Sequence, residues 1–412
     1  MKNNKVFYGW WLVLFSALSL AVMGPASVAV ANLFQNPVTH EFGITNSQFA
    51  ISNSLVLGMG IFLSPFISKK LAFGNFRLVY VVGVLIYGLA YIGFSFAPNM
   101  YVFYALALLV GVGNVSTTII PVSMLVNNWF VKKRGLALSL SFTGLGVGGV
   151  IFSQAVTFLI ANLGWRYTYL IYGLIILLVG IPIGWFVFRA IPEDMGMTAY
   201  GAEEPVSLKE GEKEVAATTP PASGVVVTKP YFILLLIGGV MVGLANNGGL
   251  GQFPPVLADL HGPIRAATLI SLYSAVGIVG KITLGNITDR FGTVFSTIYA
   301  AVLLTVTYLV MTLAENYSLA IVMAVLFGLG NAVGTVAPPL ITAAIYAPED
   351  FSKAYGYLQS ALLLGMTAGS LFAAGVADLT GSYNYSWIAL AIASAFIGVS
   401  WVGAYRSAQK DK

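Results

Sequence analysis

The 412-residue sequence has no cysteine, two histidines and only 8% charged residues. The missing cysteine excludes disulfides and thiolate chemistry. His40 and His261 both fall in polar joints between apolar runs, where neither suits a buried proton relay. Soluble domains carry about a quarter charged residues, so the shortage of charge excludes that class.

What replaces charge is hydrophobic sequence, 58% of the chain, in runs long enough to cross a ~30 Å hydrocarbon core as helices. Twelve spans follow: 8–32, 46–68, 77–97, 100–126, 133–161, 165–189, 229–257, 265–287, 293–313, 317–346, 353–378 and 383–406. The first is too long for a signal-peptide core and lacks an A-x-A type cleavage site, so it is read as a retained span. The expected fold is an all-α polytopic membrane protein, two pseudo-symmetric bundles of six helices each in the bilayer.

The net charge of +5 is a topology signal rather than a mark of nucleic-acid binding. Of the 20 Lys and Arg residues, Arg166 and Arg265 fall on one side of the twelve-span plan and Lys281 inside a span; all the others fall on the opposite side. The positive-inside rule makes that crowded side cytoplasmic and places both termini there. The expected location is the plasma membrane.

Residues 190–228 break the apolar pattern with Glu, Pro, Thr, Ser and Ala, and read as a cytoplasmic linker between halves 1–189 and 229–412. The acidic run Glu203, Glu204, Glu210, Glu212 and Glu214 has no histidine beside it and reads as solvated, so no metal is expected. The halves repeat one another. GVGNVSTTIIP (Gly111 to Pro121) matches GLGNAVGTVAP (Gly328 to Pro338) at an offset of 217, which also sets Ser54, Gly60 and Ser64 opposite Ser271, Gly277 and Lys281. A slightly larger offset aligns Gly135, Ser139, Gly144 and Gly148 with Gly356, Ser360, Gly365 and Gly369. Six spans plus six around a midplane site is the plan of carriers that rock one half against the other. The glycines form small-xxx-small faces for close helix packing. No strand and soluble nucleotide domain accompany them, so neither a phosphate loop nor an ATP-driven pump is expected.

GNITDRFG, from Gly285 to Gly292, resembles the loop signature of the major facilitator superfamily, Gly-x-x-x-Asp-Arg-x-Gly. The resemblance implies a gate in which Gly285, Asp289, Arg290 and Gly292 take part. The first-half loop, SPFISKKLAFGNFR, departs from it, with Lys69 and Lys70 about where Asp and Arg belong. FYGWW (Phe7 to Trp11), NNWFVKKRGLALSL (Asn127 to Leu140) and GWR (Gly164 to Arg166) are similar to the monocarboxylate porter and oxalate:formate antiporter branch. In that branch a cation eight residues before the loop acid holds the substrate carboxylate, and Lys281 stands eight before Asp289. The second lysine of the oxalate exchanger would fall near Leu362, so a dicarboxylate is disfavoured. Gly277 and Ala107 stand where proton-coupled relatives place an acid and an arginine.

Lys281 is the one ionisable side chain other than tyrosine inside a span. It costs about 2.5–3.5 kcal/mol there unless it meets water or a partner. Snorkelling is the structural alternative, stretched by the ~12 Å to Asp289. Ser274 and Gly277 share its helical stripe. Asn114 and Asn331 are buried amides that tie helices together or line the pathway. Asn246 and Asn247 precede a Gly-Gly-x-Gly stretch that suggests a broken seventh span. Gln359, Tyr357 and Asn32 complete the candidates. The expected function is secondary transport of a small organic monoanion such as lactate, pyruvate or formate. Proton symport, anion exchange and facilitated diffusion all stay open, and no cofactor, enzymatic activity or obligate oligomer is expected. The alternatives are export of amphipathic compounds through a cavity rich in aromatic residues, and a nutrient sensor without flux.

Overall fold

The computed structural model describes residues 7–27, 30–44, 46–202 and 229–410. The acidic run of the linker and the side chain of Asn32 lie outside the described residues. Helices α1 (Tyr8–Ser27), α2 (Gln35–Phe42), α3 (Asn46–Phe73), α4 (Phe76–Ser95), α5 (Met100–Thr117), α6 (Ile119–Trp129) and α7 (Arg134–Pro182) form the first half. The second contains α8 (Pro230–His261), α9 (Pro263–Phe291), α10 (Thr293–Met311), α11 (Tyr317–Gly330), α12 (Ala337–Ile345), α13 (Pro348–Thr380) and α14 (Tyr383–Lys410).

Eleven stretches are long and apolar enough to cross a membrane, against twelve expected. The difference lies in α7, whose 49 residues would extend ~74 Å as one rod, more than twice the hydrocarbon core. Gly164, at φ 79° and ψ 165°, turns the chain between the fifth and sixth spans. Gly262 and Gly292 hold nearly the same angles between α8, α9 and α10. Only glycine adopts that region readily, so each one-residue turn reverses the chain without a loop. Elsewhere asparagine starts the helices: Asn75, Asn99 and Asn316 accept the N–H of Leu78, Val102 and Ser318 at 3.1, 3.1 and 2.9 Å.

Aromatic residues concentrate within the halves, where several of their polar tips find hydrogen-bond partners. Tyr87 and Tyr172 donate to the carbonyls of Met23 and Val22 on α1, both at 2.9 Å, and Tyr80 pairs with Ser19 at 2.6 Å. In the second half Tyr308 donates to Ala245 and Trp401 to Leu235, both on α8. Glycine lets backbones touch: a Cβ on Gly144 or Gly148 would overlap the Ala17 or Ala21 carbonyl of α1, and one on Gly365 the Val240 carbonyl of α8.

The beginning of the expected linker is structured. Tyr200 donates its N–H to Trp129 O at 2.8 Å and accepts from Val131 and Lys132, while its ring packs on Phe7, Trp10 and Phe130. Asn128 and Trp129 bond the Ala190 and Arg189 carbonyls. FYGWW and NNWF thus meet in one aromatic cluster at the basic end, and residues 190–202 pack against the first half. On the opposite face, Arg166 pairs with Glu41 at 2.8 Å and donates to the Ser95 and Ala97 carbonyls.

Candidate functional site

Two helices break where the halves face each other. The fourth span stops at Thr117 and restarts at Ile119, around Thr118 at φ −103° and ψ −111°. The tenth stops at Gly330, makes a 3-10 turn over Asn331–Gly334, and restarts after Thr335 and Val336 at Ala337. Thr118 and Thr335 are 217 residues apart, so the breaks are the same break in both repeats. Pro121 and Pro338 explain them: each lacks the N–H that would bond the carbonyl four residues back. Ser116, Thr117 and Thr118 add to this in the first half, each hydroxyl bonding the carbonyl four residues earlier. The seventh span was expected to break at its glycines, but α8 runs uninterrupted. There Gly243 and Gly248 lie against α13, and a Cβ on Gly249 would stand 2.7 Å from the Tyr308 hydroxyl.

A cavity of about 310 Å³ lies between the halves and is lined by Thr118, Ile119, Thr335 and Lys281. Asn114, Asn331 and Gln359 also face it, so the structure brings together four of the seven substrate-contact candidates. The Lys281 ammonium donates to the Phe142 carbonyl of α7 at 3.3 Å. Phe142 stands eight residues from the start of α7 and Lys281 eight before Asp289, so the ammonium crosses between halves instead of reaching for the interface. Lys281 is the one charged residue among the described residues lining the cavity. Its repeat partner Ser64 is buried and bonded to Gly60 O at 2.5 Å.

Around the cation the polar groups differ in how much they hold in reserve. Asn246 lines the cavity and donates to the Asn331 side-chain oxygen at 2.5 Å. Gln359 is 6% exposed and has no hydrogen bond among the described residues, which leaves its amide to whatever occupies the cavity. The first turn of α6 also has N–H groups without an intrahelical partner, and it starts at the cavity wall.

Three candidates lie elsewhere. Asn247 ties α8 to the Met366 carbonyl of α13 at 2.6 Å. Ser274 is exposed outward of the cavity with its hydroxyl on Ile270 O. Tyr357 packs edge-on against Phe232 at the helix surface. No aromatic side chain lines this cavity among the described residues, contrary to what an aromatic exporter cavity would need. Thr118 and Thr335, which residue type alone did not single out, were marked by their recurrence at 217 with proline three residues on.

At the basic end the halves are latched. Asp289 accepts the N–H groups of Gly135 and Leu136, both at 2.8 Å, and so caps α7 from the other half. Lys133, the cap position of α7 itself, makes no side-chain cap bond. Gly285 is packed so closely on Gly135 that a Cβ would overlap the Gly135 carbonyl and the Ser139 hydroxyl. The related contact in the other repeat has Ser68 donating to Ser352 O, with Gly356 against Pro65. Arg290 is exposed over the Phe291 ring and makes no cross-half hydrogen bond or ion pair among the described residues, and Gly292 forms the turn. Of the four gate candidates, Asp289 and Gly285 are therefore the two that meet the other half.

Comparison with known proteins agrees with this geometry. A sequence model described as Major Facilitator Superfamily matches residues 7–306 and 235–412. The uncharacterized transporter ESBP6 of Saccharomyces cerevisiae is 24% identical over 77% of this chain, which spans only 46% of that protein's length. Monocarboxylate transporter 12 of Mus musculus is 22% identical over 95% of this chain and 84% of its own. The crystal structure of the transporter FucP in its outward conformation superposes with a TM-score of 0.72 at 15% identity, covering 96% and 98% of the two chains. The chain belongs to the Major Facilitator Superfamily of membrane transporters and, within it, resembles the monocarboxylate transporters.

Proposed function

We propose that this transporter moves a small organic monoanion, a monocarboxylate such as lactate, pyruvate or formate, by alternating access of its two halves. One observation carries the reading: a lysine ammonium faces the cavity with a single backbone carbonyl as partner and no carboxylate among the described lining residues. A substrate carboxylate supplies the missing charge. The α6 N-terminus favours the same sign, and the Gln359 amide offers a hydrogen bond to the same guest. Leu362 lines the cavity where a second cation would hold a second carboxylate, so the site balances one negative charge. The name of the mouse relative supports the same substrate class.

An empty carrier must bring the unpaired ammonium through a closed intermediate, whereas a loaded one brings a neutral pair. Exchange of one anion for another is therefore favoured. In proton symport the proton travels on the substrate or on Lys281. In this reading the basic end is cytoplasmic, with both termini there, the plasma membrane is the host, and one chain is sufficient.

Reconstituted vesicles test it. Labelled lactate, pyruvate and formate are each offered with and without an unlabelled monoanion inside, and with and without a pH gradient. Saturable uptake accelerated by internal monoanion supports exchange, and dependence on the pH gradient alone supports symport. Saturable flux of neutral or cationic compounds with none of any monocarboxylate would sink the proposal.

A further inference from the structure

A second cavity, about 520 Å³, lies on the outer face of the second half, between α10 and α14. Its floor is narrow because the helices touch there: a Cβ on Gly398 would stand 3.3 Å from the Ala301 side chain. The walls are Ile298, Val302, Val306 and Val399, large apolar side chains that stand open. Thr305 is the polar side chain along its length, and its hydroxyl is already given to Ala301 O at 2.8 Å. An occupant must therefore be apolar over the length of the groove. From Ala395 to Arg406 the α14 wall rises ~16 Å, the reach of an extended acyl chain rather than of a compact solute.

At its basic end the groove finishes at Arg406, which is exposed and has no hydrogen bond or ion pair among the described residues. Lys410, also exposed, follows one helical turn later on the same side. An apolar slot closed at one end by two cations matches one kind of molecule in a bilayer. We propose that the groove holds one acyl chain of an anionic phospholipid, with the phosphate at Arg406 and Lys410. A transmembrane helix from a second copy fits less well. It is ~10 Å across and would ride on the rims of a slot between two touching helices.

The full chain, purified in detergent, is given phosphatidylglycerol or phosphatidylcholine, and retained lipid is counted by native mass spectrometry. The thermal midpoint is read in parallel, because a ligand of the folded state raises it. Wild type is expected to retain phosphatidylglycerol preferentially. Each basic residue near the headgroup contributes about fivefold, so Arg406→Gln should cut the preference about fivefold and Arg406→Gln with Lys410→Gln about 25-fold. Val302→Trp, which fills the slot from an exposed position, should lose retained lipid of both kinds at this site while keeping the lipid-free midpoint. The proposal is overturned if all these variants retain phosphatidylglycerol as wild type does. It is equally overturned if Val302→Trp abolishes a dimer and leaves retained lipid unchanged.

Discussion

Removing the Asp289 carboxylate should open the basic end of the transporter. Its two oxygens accept two N–H groups of the first turn of α7, both at 2.8 Å, and make the described cross-half bonds in which a carboxylate meets a helix N-terminus. Hydrogen bonds to charged groups contribute roughly 1.5–3 kcal/mol when protected from water. Asp289 is exposed, so solvent competes and most of that is discounted. The favourable interaction with the helix N-terminus adds about 0.3–1 kcal/mol. A total of about 1–2 kcal/mol is reasonable for Asp289→Ala, a factor of about 5–30 in the ratio of latched to unlatched molecules. Asp289→Asn keeps an acceptor without the charge and should fall between. The sequence has no cysteine, so Leu145→Cys on the cavity wall gives a single reporter without further engineering. Labelling by a membrane-impermeant maleimide from the basic face should rise about 5–30-fold in the Asp289→Ala background and fall from the opposite face. An unchanged labelling ratio in a variant that melts with wild type would refute the cap as a latch.

Backbone and packing make further predictions. Gly164→Ala forces a Cβ into a conformation that costs about 1–3 kcal/mol, so the thermal midpoint should fall, and Gly292→Ala should behave alike. Gly144→Leu drives a side chain into the Ala17 carbonyl and should abolish the folded monomer in fluorescence-detected gel filtration, whereas Gly149→Ala, with open space around it, should be tolerated. Glu41 sits below its ordinary value of 4.5: burial alone raises it, but the bonds from Arg166 and Trp165 and the Arg166 charge outweigh that. A lowered carboxylate stabilises the fold above its unfolded pKa and loses that contribution as pH falls through the folded value. Wild type and Glu41→Gln should therefore differ in midpoint at pH 7, and the difference should shrink as pH falls below the ordinary value of 4.5.

The repeat at 217 carried most of what the sequence could reveal. It paired Asn114 with Asn331, which share the cavity wall, and Ser64 with Lys281, the position where the two halves part in charge. The fifth and sixth spans, read as 133–161 and 165–189, fall on either side of Gly164, where the chain turns. The break in the seventh span was misplaced, because glycine serves equally for bending and for close approach. In α8 the neighbouring helices fill the space a side chain would occupy, and nothing in the local sequence records those neighbours. The true breaks lay in a motif already noticed for its symmetry, at threonines whose importance depends on a proline one turn later. Ser274 shows the same limit: helical spacing sets it on the Lys281 stripe, but spacing does not record how far along that stripe the cavity reaches, and it stops short of Ser274. The first turns of the linker escaped because Tyr200 pairs with residues about 70 and 190 positions away.

The central claim is that Lys281 holds the substrate's charge. Removing one partner of a partly desolvated charge pair costs about 2–5 kcal/mol, equivalent to about 30-fold or more in affinity. The direct measurement is saturation binding and vesicle uptake of the best labelled monocarboxylate for wild type, Lys281→Ala and Lys281→Arg, with thermal midpoints for all three. The account predicts that Lys281→Ala folds, loses affinity about 30-fold or more and no longer exchanges, while Lys281→Arg retains saturable transport. Unchanged affinity and flux in Lys281→Ala would contradict it.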